Sequence, residues 1–257
     1  MIEGIEAVFF DMGGTLRTRI ADEELHHQSV AQFMDLLGMK GPPAAFFQQL
    51  SERAKAYKRW SEETLIEAPE EEIWTRWMLP QWPADVIEPL AVHLNQLWRS
   101  ARGVRIARPD TREVIIELNR RGYRLGLISN TTSRYDSPHM LEKLGVSDCF
   151  KTVVLSATFG RRKPDSSIFL EATRNLGVHP DRSAYVGDRL DRDVAGARQA
   201  GFAMTIIIQE PEDTPLEPTD ASLTPDHVIH HLTELLMIFP PLHPTPQQSR
   251  DRTVDML

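Results

Sequence analysis

The chain of 257 residues is 41% hydrophobic and 26% charged, the balance of an ordinary globular protein with length for one large domain or a core carrying a smaller second one. Its net charge of -8 excludes a broad nucleic-acid footprint, which needs cations clustered on one face, so an anionic ligand must be held by a local device. The single cysteine, Cys149, excludes an internal disulfide, fits a reducing compartment and reads as a small buried hydrophobe. An N-terminus with two glutamates in place of a cationic leader, and no apolar run of about 18 residues, lead to the expectation of a cytoplasmic protein that does not enter a membrane.

The first apolar run, residues 5–10 (IEAVFF), suits a strand buried in a parallel sheet. It ends on Asp11, followed by Met12, Gly13, Gly14 and Thr15, small residues for a tightly turning loop. From about Arg19 to Arg105 no strand is predicted. Helical patterns cover Asp22 to Leu37, stopped by Gly38, then Ala44 to Trp60, Glu70 to Met78 and Ala84 to Ser100. All five tryptophans, Trp60, Trp74, Trp77, Trp82 and Trp98, fall in this stretch, where large rings fill the core of a small helix bundle and at most one or two turn toward a ligand. His26 and His27, adjacent on a helix, point in different directions and read as surface residues. Arg17 and Arg19, at a hinge position, read as solvated linker charges.

Strand-like runs return at 123–129 (YRLGLIS), 151–156 (KTVVLS), 183–187 (SAYVG) and 203–208 (AMTIII). Helical patterns separate them: Val114, Ile115 and Leu118; then Ile168, Phe169, Ala172 and Leu176; then Val194 and Ala197. The alternation predicts a parallel α/β sheet with an α-helical insertion after its first strand. The expected division is a core of residues 1–18 and 106–237, a helical cap of 19–105, and a loose tail of 238–257 rich in proline and polar residues.

In open parallel sheets ligands bind at the carboxyl ends of the strands. There the chain places Asp11, Ser129 with Asn130, and Gly187 with Asp188, while the loop after the third predicted strand delivers Lys163 in GRRKPD. Lys163 is one of only 6 lysines against 23 arginines, and it directly follows Arg161 and Arg162. A purely solvating role tolerates arginine, so lysine here is informative. Asp191 reads as an exposed first-turn residue favoured by the helix dipole.

The segments FFDMGGTL, LGLISN, GRRKPDSSIF and YVGDRLDRDVAGARQAG, in this order and each at a strand end or in the loop after it, resemble the four motifs of the haloacid dehalogenase superfamily. The resemblance runs through the whole chain apart from the insertion and the tail. It implies a Rossmann-like core of strand order 5-4-1-2-3 and a Mg²⁺-dependent hydrolase. The reading it supports is a phosphatase that acts on a small phosphorylated or otherwise anionic metabolite through an aspartyl phosphate. By resemblance Asp11 is the nucleophile. Asp11, the main-chain carbonyl of Gly13 and Asp188 hold the metal, with Asp193 alongside. Ser129 bonds a phosphoryl oxygen, Lys163 bridges nucleophile and phosphate, and Gly14, Thr15 and Asn130 contact the substrate.

One position departs from the pattern. The phosphatase version has a second aspartate two residues after the nucleophile, the general acid and base, and here that position is Gly13. Loss of a positioned acid and base costs roughly 10² to 10⁴ in rate. The substitution therefore implies leaving groups that need no proton, such as acyl or aryl phosphates, or a proton from elsewhere. Haloacid dehalogenases also lack this aspartate, yet they need no Mg²⁺ and fit GDRLDRD poorly. Phosphonoacetaldehyde hydrolases lack it too and use a cap lysine, for which Lys40, Lys55 and Lys58 are the candidates. A weakly active phospholigand-binding protein is the remaining alternative.

Overall fold

The computed structural model of the chain describes residues 4–210 and 220–242. Its strands are β1 (Ala7–Phe10), β2 (Arg17–Ile20), β3 (Val104–Ala107), β4 (Arg124–Ser129), β5 (Phe150–Leu155), β6 (Ser183–Gly187), β7 (Met204–Ile208) and β8 (His227–Ile229). Six of them form one parallel sheet in the order β5-β4-β1-β6-β7-β8. The five predicted strands take the expected order, and β8 extends the sheet by a short sixth that its three residues, HVI, did not announce.

β1 lies in the middle of this sheet and is buried along its length, as a strand covered on both faces must be. Val8 and Phe10 enter the core on one side, with Val114, Ile115 and Leu118 of the helix Thr111–Arg120 and with Leu235. Ala7 and Phe9 enter the core on the other, with Ile168, Phe169 and Ala172 of the helix Ser166–Leu176 and with Ala197. Alternation along a strand thus splits one apolar run between two cores. Cys149 is half-buried, packed against the first.

The inserted helices are Glu23–Leu36, capped by the Asp22 side chain accepting from Leu25 N at 2.8 Å, Pro43–Thr64, and Glu70–Glu72 running into a π-helical turn, Ile73–Met78. The last predicted helix is broken into Ala84–Ile87, a 3₁₀ turn Glu88–Leu90 and Ala91–Ala101, because Pro89 has no N–H to donate. These helices have their own core, which includes Val30, Phe33, Leu50, Trp74, Leu94 and Trp98, with Trp60, Trp77 and Trp82 partly buried against it. His26 is half-buried, its Nδ1 at 2.8 Å from the carbonyl oxygen of Ala101, while His27 is exposed. No helix among the described residues is long and apolar enough to cross a membrane.

Two seams join the helical unit to the sheet. β2 and β3 form an antiparallel ribbon in the register Arg17↔Ala107, Thr18↔Ile106, Arg19↔Arg105 and Ile20↔Val104. The stretch expected to be free of strand therefore begins and ends in one, and both expected boundaries fall inside this ribbon. At the second seam Ile66 bridges to Arg161, Glu67 N donates to Gly160 O at 3.1 Å and Arg162 N to Leu65 O at 3.0 Å. The buried Glu67 carboxylate accepts from Ser156 Oγ at 2.7 Å and from Tyr57 and Arg162. Burial pushes its pKa up, against the pull of Arg162.

The expected tail starts later than its composition implies. Phe239 is buried, Tyr123 Oη donates to Pro240 O at 2.8 Å, and Leu242 N donates to Arg121 O at 3.0 Å. The rest of that tail, 243–257, lies outside the described residues.

Candidate active site

Asp11 N donates to Val186 O at 2.9 Å, which extends the β1–β6 ladder by one residue and fixes Asp11 at the carboxyl edge of the sheet. The loop after it closes through Leu16 N to Met12 O at 3.1 Å and Gly14 N to Arg17 O at 2.8 Å. Gly14 has φ of +86°, and a Cβ there would stand 2.1 Å from Asp188 Oδ2, so only glycine lets the two motifs approach. Gly13 differs: a Cβ at this position meets nothing within 4 Å.

Lys163 is the hub. Its Nζ donates to Asp11 Oδ1 at 2.7 Å, to Tyr185 Oη at 2.6 Å and to Ile128 O at 3.0 Å, and lies 2.7 Å from Asp193 Oδ1. The lysine side chain is fully buried, a charge tolerable in a dry site only because two carboxylates face it. Asn130 holds the loop that delivers it, donating from Nδ2 to Lys163 O at 3.0 Å and accepting from Lys163 N at 2.9 Å. Both ends of that side-chain amide, expected on the substrate, are thus engaged by the lysine's backbone.

The other oxygen of Asp193 accepts from Asp188 N at 3.2 Å and Arg189 N at 3.1 Å, orienting the turn that presents Asp188. One carboxylate oxygen from each of Asp11, Asp188 and Asp193 lies within 4.8 Å of the others. Asp11 Oδ2 is buried without a hydrogen-bond partner. An all-oxygen set with an orphaned carboxylate oxygen fits a hard divalent cation. Arg192 reaches into the same space: its Nη2 is 2.8 Å from Asp188 Oδ1, 3.5 Å from Asp193 Oδ2 and 3.6 Å from Asp11 Oδ2.

Without a bound cation, burial and the Asp11 charge push Asp188 up to about 7. Burial acts the same way on Asp193, but the charges of Lys163 and Arg192 outweigh it and hold that carboxyl down at about 2. Burial, then Asp193 and Asp11, push the Tyr185 hydroxyl well above its ordinary value, so it remains a donor.

Asp11, Gly13, Gly14, Ser129, Asn130 and Asp188 line a cavity of about 830 Å³. Thr15, expected at the substrate, does not line it: its side chain is fully buried and its hydroxyl unpartnered. A second cavity of about 400 Å³ shares Arg99, Arg105, Asn130 and Thr131 with the first and has Trp74 and Trp98 in its lining. Lys55 and Lys58 line this second cavity as exposed side chains, and Lys40 lines neither.

Several residues escaped the sequence. Tyr185 read only as strand filling. Arg192 had a signal, its i,i+4 spacing from Asp188. Arg17 is buried rather than solvated and is ion-paired with Asp136, which Arg99 also reaches. Asp191 is exposed as expected and pairs with Arg189 at 2.8 Å.

A family profile described as haloacid dehalogenase-like hydrolase matches residues 5–201. The chain belongs to this family. As a haloacid dehalogenase-like hydrolase it is similar to a glyceraldehyde 3-phosphate phosphatase of Methanopyrus kandleri, 36% identical over 50% of this chain and 54% of the relative. A protein of the same description from Pyrococcus abyssi is 28% identical over 77% of this chain and 79% of its own length. The chain spans about half the length of the first curated relatives it matches. Among solved structures, a 2-haloacid dehalogenase from Pseudomonas syringae superposes with a TM-score of 0.68 at 22% identity, covering 91% of this hydrolase and 97% of that chain. A HAD phosphatase from Thermococcus onnurineus does so with 0.59 at 23% identity, covering 92% and 99%. These two likenesses concern the shared fold.

Proposed function

We propose that this hydrolase is a cytoplasmic, Mg²⁺-dependent phosphatase of a small phosphorylated metabolite, working through attack of Asp11 on phosphorus. The observation behind it is Asp11 itself: one oxygen is fixed by Lys163 at 2.7 Å and the other is buried without a hydrogen-bond partner, in a residue that lines the cavity. Relatives named for glyceraldehyde 3-phosphate and phosphoserine support a small phosphorylated substrate.

Asp11, Asp188 and the Gly13 carbonyl would hold Mg²⁺, with Asp193 bracing the Asp188 turn. When bound, the ion supplies charge neutralisation that lets an anionic carboxylate meet an anionic phosphoryl group. Asp11 then forms the P–O bond of an aspartyl phosphate as the leaving oxygen departs, and water hydrolyses that acyl phosphate to return the carboxylate. Lys163 orients Asp11, and Ser129 donates to a phosphoryl oxygen. Residues 19–105 act as a cap over the core of 1–18 and 106–237, excluding water from the reaction.

The test is phosphate release from p-nitrophenyl phosphate and acetyl phosphate, with Mg²⁺ and with EDTA. Metal-dependent turnover is the expected result, and none with either substrate in a folded protein overturns the reading.

Gly13 leaves the leaving group without a protein acid. Since its site has room for a Cβ, Gly13→Asp is expected to fold and to raise turnover of an alkyl phosphate by about 10², with little gain on p-nitrophenyl phosphate, whose leaving group needs no proton. Equal gains on both would point to a different role for the new carboxylate.

Arg192 competes for the carboxylates a cation needs. Arg192→Gln is expected to bind Mn²⁺ about tenfold more tightly by calorimetry, since the metal no longer displaces a guanidinium. Unchanged affinity would mean that Arg192 leaves the carboxylates at no cost.

A further inference from the structure

In an antiparallel ribbon, residues directly opposite share a face, and so do residues two apart. The β2–β3 register therefore puts Arg17, Arg19 and Arg105 on one face, and all three line the 830 Å³ cavity together with Arg99. Arg19 stands directly across from Arg105, and like charges in that relation destabilise a ribbon.

Each of the remaining arginines of this cavity has a carboxylate partner, although Arg192 Nε is a buried donor without one. Arg108 donates to Gly14 O and Thr15 O and pairs with Glu210 at 2.7 Å, Arg189 pairs with Asp191, and Arg192 with Asp188. On the ribbon side, Asp136 serves both Arg17 and Arg99, and no ion pair among the described residues involves Arg19 or Arg105. Arg105 Nη1 has only the carbonyl oxygen of Arg99, at 3.0 Å. Arg17 Nη1 and Arg99 Nε are buried donors with no partner. Burial, then the charge of Arg99, bring Arg105 down to about 9, the mark of a cation short of counter-charge.

Four guanidinium groups along one cavity wall, with Asp136 paired to two of them and unpaired donors on Arg17 and Arg99, form a site built for oxygen anions. We propose that Arg17, Arg19, Arg99 and Arg105 bind a second anionic group, a carboxylate or a phosphate, carried on the same small molecule as the phosphoryl group that Asp11 attacks. The inference rests on the phosphatase reading for the reacting end of the substrate. It narrows the substrate class to doubly anionic molecules and gives the ribbon a role in choosing them.

The test is calorimetric titration of the full chain, carrying Asp11→Asn to prevent turnover, with three probes: ethyl phosphate, 2-phosphoglycolate and 1,3-propanediol bisphosphate. At least one doubly anionic probe is expected to bind about tenfold or more tightly than ethyl phosphate, and which one does distinguishes carboxylate from phosphate. Arg105→Gln and the more exposed Arg19→Gln should each remove most of that preference while ethyl phosphate affinity stays within about twofold. Equal binding of all three probes, or a preference that survives both substitutions, overturns the proposal. Wild-type hydrolysis of p-nitrophenyl phosphate separates the two readings. Turnover without the preference removes the anion site, whereas the preference without turnover supports the site and removes the reaction assigned to Asp11.

Discussion

Asp11→Asn is expected to lower kcat for p-nitrophenyl phosphate by at least about 10⁴, the scale on which removing a nucleophile acts. The replacement keeps the shape of the side chain, and Lys163 keeps a carboxylate partner in Asp193 at 2.7 Å, so the site survives without its reactive oxygen. The measurement is initial rate at saturating Mg²⁺ for both proteins, with circular dichroism to establish equal folding. A variant retaining more than about a hundredth of the rate would locate the nucleophile elsewhere.

Lys163→Met is expected to be costly twice over. Methionine fills a similar volume, but it leaves Asp11 and Asp193 facing each other without the ammonium group that sits between them. Breaking a buried pair by deleting one partner costs about 3–5 kcal/mol, which for a chain of this size lowers the thermal midpoint by about 6–20 °C. Turnover should vanish with it, because Lys163 bonds Asp11, the carboxylate proposed to attack, directly. A differential scan of the two proteins reads the first effect and phosphate release the second. An unchanged midpoint would mean that the carboxylates find a replacement cation, for which Arg192, 3.5 Å from Asp193 and 3.6 Å from Asp11, is the nearest in hand.

The sheet was readable because a strand covered on both faces must be apolar along its length, and the polar residue that ends each run marks the edge where chemistry takes place. Asp11, Ser129, Lys163 and Asp188 were found by that logic, and the structure brings Asp11, Lys163, Asp188 and Asp193 together around one point. What stayed hidden has partners far away in the chain. RTRI and VRIA do not look like strands alone; they become a ribbon only when Arg17 finds Ala107. Glu67, between the helices Pro43–Thr64 and Glu70–Glu72, carries no local sign of burial, and its partners Arg162 and Ser156 come from far along the chain. Arg17 reads as a linker charge until Asp136, 119 positions on, draws it inward. Burial of a polar group is decided by such pairings, and local pattern holds no trace of them. Thr15, which the resemblance set among the substrate contacts, has its side chain in the interior, away from the cavity.

The five indoles described above all belong to the helical unit, with the rings of Trp60 and Trp77 centred 5.1 Å apart, and the parallel sheet contains none. Light emitted by tryptophan therefore reports on the helical layer alone, while ellipticity counts both layers. An unfolding curve followed by the two signals would run together if the layers melt as one cooperative unit. It would separate by the margin with which one layer outlasts the other. The molecule thus has a built-in optical label on the helical unit, and none on the parallel sheet that holds Asp11.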